Sequence, residues 1–173
     1  MNMKLIVLSG FPGTGKSTLA EAAGRYFGIP VFAKDWLEAS LLQIGLKPRL
    51  KGRQLGYAAY ELLTALARRQ LLLGQSVILD SVAGTKTIRR TWRQLAKHHK
   101  ADWRVIECIC SDESIHRSRL KERRRGIPGW HELTWSEVER VKGYYARWRQ
   151  NRLVLDMVNP FDENLFKVKT YCE

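Results

Sequence analysis

Long apolar runs are missing from this 173-residue sequence. No stretch approaches the roughly 20 residues that a membrane-spanning helix needs, and the short apolar run at the N-terminus passes straight into a glycine-rich turn rather than a cleavage site. Neither a signal peptide nor a membrane span is therefore expected. Cysteine is scarce, and three residues cannot all pair internally. Cys108 and Cys110 alternate along a predicted strand and face one side of it, which points to buried thiols in a reducing cytosol; no His/Cys partners at metal-site spacing accompany them. Internal repeats, low-complexity segments and linkers are absent too. The expectation is one cytoplasmic domain over residues 1–173, long enough to bury a core without staples. Acidic residues are in deficit: 17 Asp and Glu against 30 Lys and Arg give a net charge of +13. That surplus favours anionic partners, whether nucleotides, phosphorylated metabolites, nucleic acid or an acidic surface, without choosing among them. A basic surface that serves only solubility is the competing reading.

What is present is a phosphate-binding signature. The apolar run Leu5-Ile6-Val7-Leu8 leads into Gly10, Phe11, Pro12, Gly13, Thr14, Gly15, Lys16, Ser17 and Thr18, and helical spacing follows to Phe27. Buried strand, glycine-rich turn and helix N-terminus are the context in which G-x-x-x-x-G-K-[ST] cradles phosphate. Glycines let several amide N–H groups converge on one anion, and the helix dipole adds positive potential there. Lys16 would reach the β- and γ-phosphates and the Ser17 hydroxyl would ligate Mg²⁺.

Along the chain, strands are expected over 3–8, 30–33, 76–80, 103–110 and 153–157. Helices are expected over 16–27, 35–44, 53–73, 86–100, 112–124, 134–150 and 161–171. Between the second and third helices lies a basic, irregular stretch, 47–53. The helix over 86–100 carries Lys86, Arg89, Arg90, Arg93 and Lys97 on its polar side, and Thr134 with Glu137 makes a capping box for the one that follows. Short, uniformly apolar strands alternating with helices mean an α/β fold with a parallel sheet buried on both faces.

Ligands in such sheets bind beyond the carboxyl ends of the strands, where the phosphate loop, Asp35 and Asp80 all fall. Asp80 closes Val77-Ile78-Leu79-Asp80, a Walker B pattern whose carboxylate holds Mg²⁺, although an Asp there also suits a helix cap or turn. Asp35 is either the base that takes a proton from an attacking hydroxyl or the N-cap of the next helix. In Arg117–Arg125 the guanidiniums of Arg119 and Arg123 stand i, i+4 on one face, suited to neutralising phosphate charge from a lid. Arg124 and Arg125 read as solvated, and Gly126-Ile127-Pro128-Gly129 as a hinge or lid tip. Tyr144, Tyr145 and Trp148 are at helical spacing and read first as packing, with stacking of a planar acceptor as the alternative. His131 is a lone loop histidine with no strong claim to chemistry.

Gly10–Thr18, Asp35, Val77–Asp80 followed by Arg89, and the Arg119/Arg123 pair together resemble the small P-loop kinases. That group includes phage polynucleotide kinase, chloramphenicol phosphotransferase and the zeta-toxin-like ATP-binding proteins. The resemblance implies a P-loop NTPase three-layer sandwich, its five parallel strands in the order 2-3-1-4-5, with a helical lid over about 112–133. It further implies ATP and Mg²⁺ as cosubstrates, Asp35 as base, Arg119 and Arg123 in the lid, and Asn159-Pro160 beside the adenine; a turn opening the last helix accounts for that pair equally well. One departure is Glu38, where polynucleotide kinases of this type carry arginine three residues after the base; it weakens the case for an oligonucleotide 5′-hydroxyl. The resulting expectation is an ATP-dependent phosphotransferase acting on a hydroxyl of a small-molecule or nucleotide-like acceptor. In it Lys16, Asp35, Arg119 and Arg123 are catalytic, residues 10–18 hold the nucleotide, and Ser17 and Asp80 hold the metal. A polynucleotide kinase and an ATP-hydrolysing regulatory protein are the rivals.

Overall fold

The computed structural model describes residues 2–44 and 52–173. The basic stretch expected over 47–53 falls outside them, apart from the backbone of 52 and 53. Five strands, β1 (Lys4–Ser9), β2 (Val31–Ala33), β3 (Val77–Asp80), β4 (Asp102–Ile109) and β5 (Leu153–Asp156), form one sheet in the order β2-β3-β1-β4-β5. Every pairing is parallel: Leu5 lies opposite Val77 on one side and Trp103 on the other, Val31 opposite Ile78, and Ile106 opposite Leu153. The expected order and parallel sense both hold.

The strands are apolar throughout because both faces are covered, and alternate side chains feed two separate cores. Leu5, Val7, Val77, Leu79 and Val105 pack against Leu63, Ala67 and Leu71 of α3 (Gly52–Leu72) and Trp92, Leu95 and Ala96 of α4 (Lys86–His98). Ile6, Leu8, Ile78, Ile106 and Leu155 pack against Leu19, Ala20 and Ala23 of α1 (Lys16–Phe27) and Val168 and Cys172 of α7 (Phe161–Cys172). The indole N–H of Trp92 donates to Thr64 Oγ1 at 2.9 Å, so the largest buried ring leaves no polar atom unpaired. Beside the carboxyl end of the sheet lie α2 (Lys34–Gln43), α5 (Glu113–Glu122) and α6 (Trp135–Lys142).

Several local expectations need correcting. The helix expected over 134–150 begins with its capping box but stops at Lys142. Beyond it the Ala146 N–H donates to the Gly84 carbonyl at 2.8 Å, and Trp148 is buried in the core beneath α4. Joining the β3–α4 loop and filling that core satisfies the aromatic residues better than another helical turn would. Arg89, expected on the polar side of α4, is only 5% exposed. The helix expected to 124 ends at Glu122, and Arg123 has an extended backbone (φ −60°, ψ 132°). Arg123 is therefore outside the helix it was expected to share with Arg119. Cys110 falls past the end of β4 and is only partly buried, whereas Cys108 and Cys172 are buried; all three are free thiols.

Candidate phosphoryl-transfer site

The loop between β1 and α1 has a shape that only glycine permits at two points. Gly10 has φ +144°, and a Cβ there would lie 2.2 Å from the Cys108 carbonyl oxygen. Gly13 has φ +82°, and its Cβ would lie 2.9 Å from Leu120 Cδ1. The Thr14 hydroxyl closes the loop by donating to the Phe11 carbonyl at 3.0 Å. No side chain caps the N-terminus of α1, whose first-turn N–H groups are free to meet an anion. His116 of α5 braces the outside: Nε2 lies 2.7 Å from the Pro12 carbonyl, which can only accept, so that nitrogen carries the hydrogen. Burial pushes the His116 imidazolium down from the usual histidine range; the Pro12 carbonyl opposes that shift and the nearby Lys142, Lys16 and Arg119 charges add to it.

Over the loop opens a cavity of about 380 Å³ lined by Gly13, Gly15, Lys16, Ser17, Arg119 and Arg123 among others. Lys16 is 5% exposed, and burial lowers its pKa against the opposing pull of the Asp80 and Asp35 carboxylates. Burial also lowers the pKa of Arg123, with Arg125 adding to the effect. Arg119 donates through Nη1 to the Met157 carbonyl at 2.6 Å, tying α5 to the segment after β5. Asn159-Pro160 follows directly: the Asn159 N–H closes a turn onto the Asp156 carbonyl at 3.2 Å, and Pro160 is the N-cap of α7.

Asp35 is in the first turn of α2, but the N-cap is Ala33 with no side-chain cap, which removes the capping explanation for the carboxylate. Its partner is Arg125, the residue expected to be solvated. Arg125 donates through Nη1 to Asp35 Oδ2 and through Nη2 to Ser17 Oγ at 3.3 Å, and its side chain is only 8% exposed. Burial works to raise the Asp35 pKa, yet Lys16, Lys34, Arg125 and Arg123 together hold it below the usual carboxylate range. The segment carrying Arg125 has two further ties: its own N–H donates to Glu132 at 3.0 Å, and Gln43 of α2 donates to the Pro128 carbonyl at 2.7 Å. His131 pairs with Glu137 at the surface, and Glu38 pairs with Lys34.

Asp80 is 4% exposed and its Oδ1 accepts no hydrogen bond among the described residues. A buried carboxylate oxygen in that state calls for a cation or a bound water. Among the described residues no three His, Cys, Asp or Glu side chains cluster to hold a metal unaided. That donor set suits Mg²⁺, which keeps several waters and is usually shared between one or two protein oxygens and substrate phosphates. Asp80 also lines a second cavity of about 250 Å³ with Val31, Phe32, Trp36 and Leu37, on the α2 side.

With this geometry in hand, comparison with known proteins is decisive for the family: the model described as AAA domain (AAA_33) matches residues 5–147. The chain belongs to this AAA-domain family. Among curated proteins, the uncharacterized protein Rv2004c of Mycobacterium tuberculosis strain H37Rv is 35% identical over 120 residues, covering 63% of this chain and 23% of that protein. The chain thus spans less than a quarter of the length of the curated relative it matches. Among solved structures, a putative kinase from Chloroflexus aurantiacus superposes over the whole of both chains with TM-score 0.78 at 20% identity. A sugar kinase from Janibacter follows with TM-score 0.72 at 17% identity, over 98% of this chain and 94% of that one. An APS kinase of Mycobacterium tuberculosis, solved with AMPPNP and APS, gives 0.67 at 21% identity over 99% and 98%. The fold of this AAA-domain chain is that of the small P-loop kinases. No helix among its described residues is long and apolar enough to cross a membrane.

Two residues that matter in this geometry escaped the sequence reading. Arg125 was hidden in a charge run that looked solvated. His116 was not singled out; its i, i+4 spacing with Leu120 on one face of α5 was the available signal, since both meet the phosphate loop.

Proposed function

We propose that the chain is an ATP-dependent phosphotransferase that moves the γ-phosphoryl of Mg-ATP to a hydroxyl of a small-molecule or nucleotide-like acceptor. One observation carries the reading: a single guanidinium, Arg125, touches both Asp35 and Ser17. A carboxylate within one guanidinium of the phosphate loop is near enough to take the proton of a hydroxyl attacking the γ-phosphorus. Lys16 and the loop amides bind the phosphates, while Arg119 and Arg123 on the cavity wall offset their charge. Residues 112–133 then act as the lid, with Arg125 as its inner contact. Ser17 and Asp80 would hold Mg²⁺, which when bound neutralises charge between the β- and γ-phosphates.

The acceptor oxygen bonds to the γ-phosphorus as the bond to the β–γ bridging oxygen breaks, ADP departs, and Asp35 receives the proton. Asp35 held low by four cations is a weak base; drawing Arg125 toward phosphate would relieve that and raise its basicity as substrate arrives. The acceptor side favours a planar or apolar group: Phe32, Trp36 and Leu37 line the cavity beside Asp80, and Glu38 is neutralised by Lys34. The kinases of the same fold named above differ in acceptor by their own descriptions, a sugar for one and APS for another, so the fold leaves that choice to α2 and the lid.

The test is a panel of hydroxyl-bearing metabolites and oligonucleotides incubated with Mg-ATP, reading ADP above the acceptor-free background. An acceptor that raises ADP and appears phosphorylated supports the reading. Asp35→Ala then abolishes transfer while nucleotide affinity changes by less than about threefold; wild-type transfer in that variant removes Asp35 as base. ATP hydrolysis that no acceptor alters points instead to a regulatory ATPase.

A further inference from the structure

Behind Tyr145, on the side away from the phosphate loop, the protein has a second cationic hollow. The Tyr145 ring meets Phe11 of the loop at 4.9 Å and Arg89 at 4.9 Å, so one aromatic side chain separates the two regions. A cavity of about 260 Å³ is lined there by Lys86, Arg89, Arg90, Arg93, Arg147 and Arg149. A neighbouring one of about 480 Å³ shares Arg90 and Arg93 and extends the line to Lys97 and Trp103.

Several cations elsewhere have carboxylate partners: Lys34 with Glu38, Arg117 with Glu113, Arg125 with Asp35, Lys142 with Glu139, Arg152 with Glu107 and Lys167 with Glu163; scattered exposed ones such as Arg25, Arg68, Arg69 and Arg140 have none among the described residues. Among the described residues no ion pair includes any of the seven cations along these two hollows. Arg89 is the built part. Its Nε donates to the Ala83 carbonyl at 2.6 Å and its guanidinium lies 3.7 Å from the Trp148 ring, fixing its plane. Its Nη2 is buried and has no acceptor, and the neighbouring Gln150 Oε1 is also buried and unpaired. Arg89 is thus a fixed positive charge at the back of the hollow, adding to the potential that its exposed neighbours Arg90 and Arg93 present to an anion.

We propose that the two hollows form a track for the phosphate backbone of a single-stranded nucleic acid. Length argues for a chain of phosphates over one isolated anion, since Lys86 to Lys97 spans about 16 Å of helix and the shared arginines join the hollows end to end. Recognition is mainly by charge, with Trp103 of the second hollow the one aromatic ring in the lining that is not fully buried. Trp148 is buried beneath Arg89, so no base stacks on it, and binding is indifferent to sequence.

The test measures anisotropy of a 3′-fluorescein-labelled single-stranded DNA 20-mer, without ATP, over a salt series from 50 to 300 mM. Wild type binds, and log K falls linearly with log salt. Arg90 and Arg93 are exposed, so Arg90→Gln/Arg93→Gln keeps the fold, retains wild-type nucleotide affinity, and lowers the salt slope by about 1.4, with affinity near 0.1 M salt down at least tenfold. Arg68→Gln/Arg69→Gln, an equal charge loss on exposed α3 positions, leaves oligonucleotide binding within about twofold. Three outcomes overturn the proposal: no binding at 50 mM salt, equal losses in the two double variants, or displacement of the 20-mer by ATP with binding unchanged in Arg90→Gln/Arg93→Gln. The last would return the nucleic acid to the phosphate-loop cavity.

Discussion

Replacing Arg125 by glutamine tests the contact on which the proposed site turns. The side chains of Arg125 and Asp35 are 8% and 23% exposed, so the pair is mostly withdrawn from water. Breaking a fully buried pair costs about 3–5 kcal/mol because a charge is left uncompensated. Here Lys16, Lys34 and Arg123 still act on Asp35, and the loss is nearer that of one charge-assisted hydrogen bond, about 2 kcal/mol. For a chain of this size that lowers Tm by about 4–8 °C. A double-mutant cycle with Asp35→Asn should return a coupling of about 1–2 kcal/mol. The sign of the pH dependence follows from Asp35 being held below its ordinary value: the unfolded chain takes up the proton first, so the pair's stabilisation is complete above about pH 4 and is lost as pH falls through the folded value. Arg125→Gln raises the folded pKa and narrows that window, so the difference in Tm between wild type and variant shrinks on acidification. Once an acceptor is in hand, kcat should fall about 100-fold or more. A coupling below about 0.3 kcal/mol, the size expected of an exposed pair, would refute the contact and return Arg125 to solvent.

Gly10→Ala forces a Cβ to within 2.2 Å of the Cys108 carbonyl and should prevent folding or cost more than about 3 kcal/mol, whereas Gly28→Ala meets nothing within 4 Å and should cost about 1 kcal/mol for its positive φ; urea midpoints distinguish them. Asp80→Asn should remove most of the Mg²⁺-dependent gain in nucleotide affinity while leaving metal-free binding within about threefold, as titrations with and without Mg²⁺ would read. His116→Ala should cost about 1–3 kcal/mol at pH 8 by leaving the Pro12 carbonyl unpaired. Because His116 is held neutral in the fold, its stabilisation is complete above the unfolded value near pH 6.5 and is lost as pH falls through the lowered folded value, so the gap between wild type and variant should close on acidification.

The sheet and the phosphate loop were legible because each rests on local chemistry. Leu5–Leu8 and Val77–Leu79 are continuous apolar runs that only a strand covered on both faces explains, and Gly10, Gly13 and Gly15 take backbone angles their sequence motif announces. Strand order did not come from the strands themselves: nothing in Val31–Ala33 says that β3 rather than β1 lies beside it, and the order 2-3-1-4-5 entered only through resemblance. The failures share one cause, long-range partners that override a local count. Tyr144, Tyr145 and Trp148 have helical spacing, yet Tyr145 is drawn to Ser9 and Glu107 and Trp148 to the core, and the helix yields. Arg89 was counted on a polar face, but the two rings that enclose it come from that same segment, 56 or more residues later. Arg119 and Arg123 were paired by i, i+4 spacing, a relation that ends with the helix at Glu122. Past that break the chain is extended, and it is Arg125, two residues on, that turns inward to a carboxylate 90 residues away. In a run of like charges, spacing cannot distinguish the guanidinium that will be buried from those left in water; the distinction belongs to Asp35, whose desolvation draws compensating cations from Lys16 and Lys34 and, across the cavity, from Arg125.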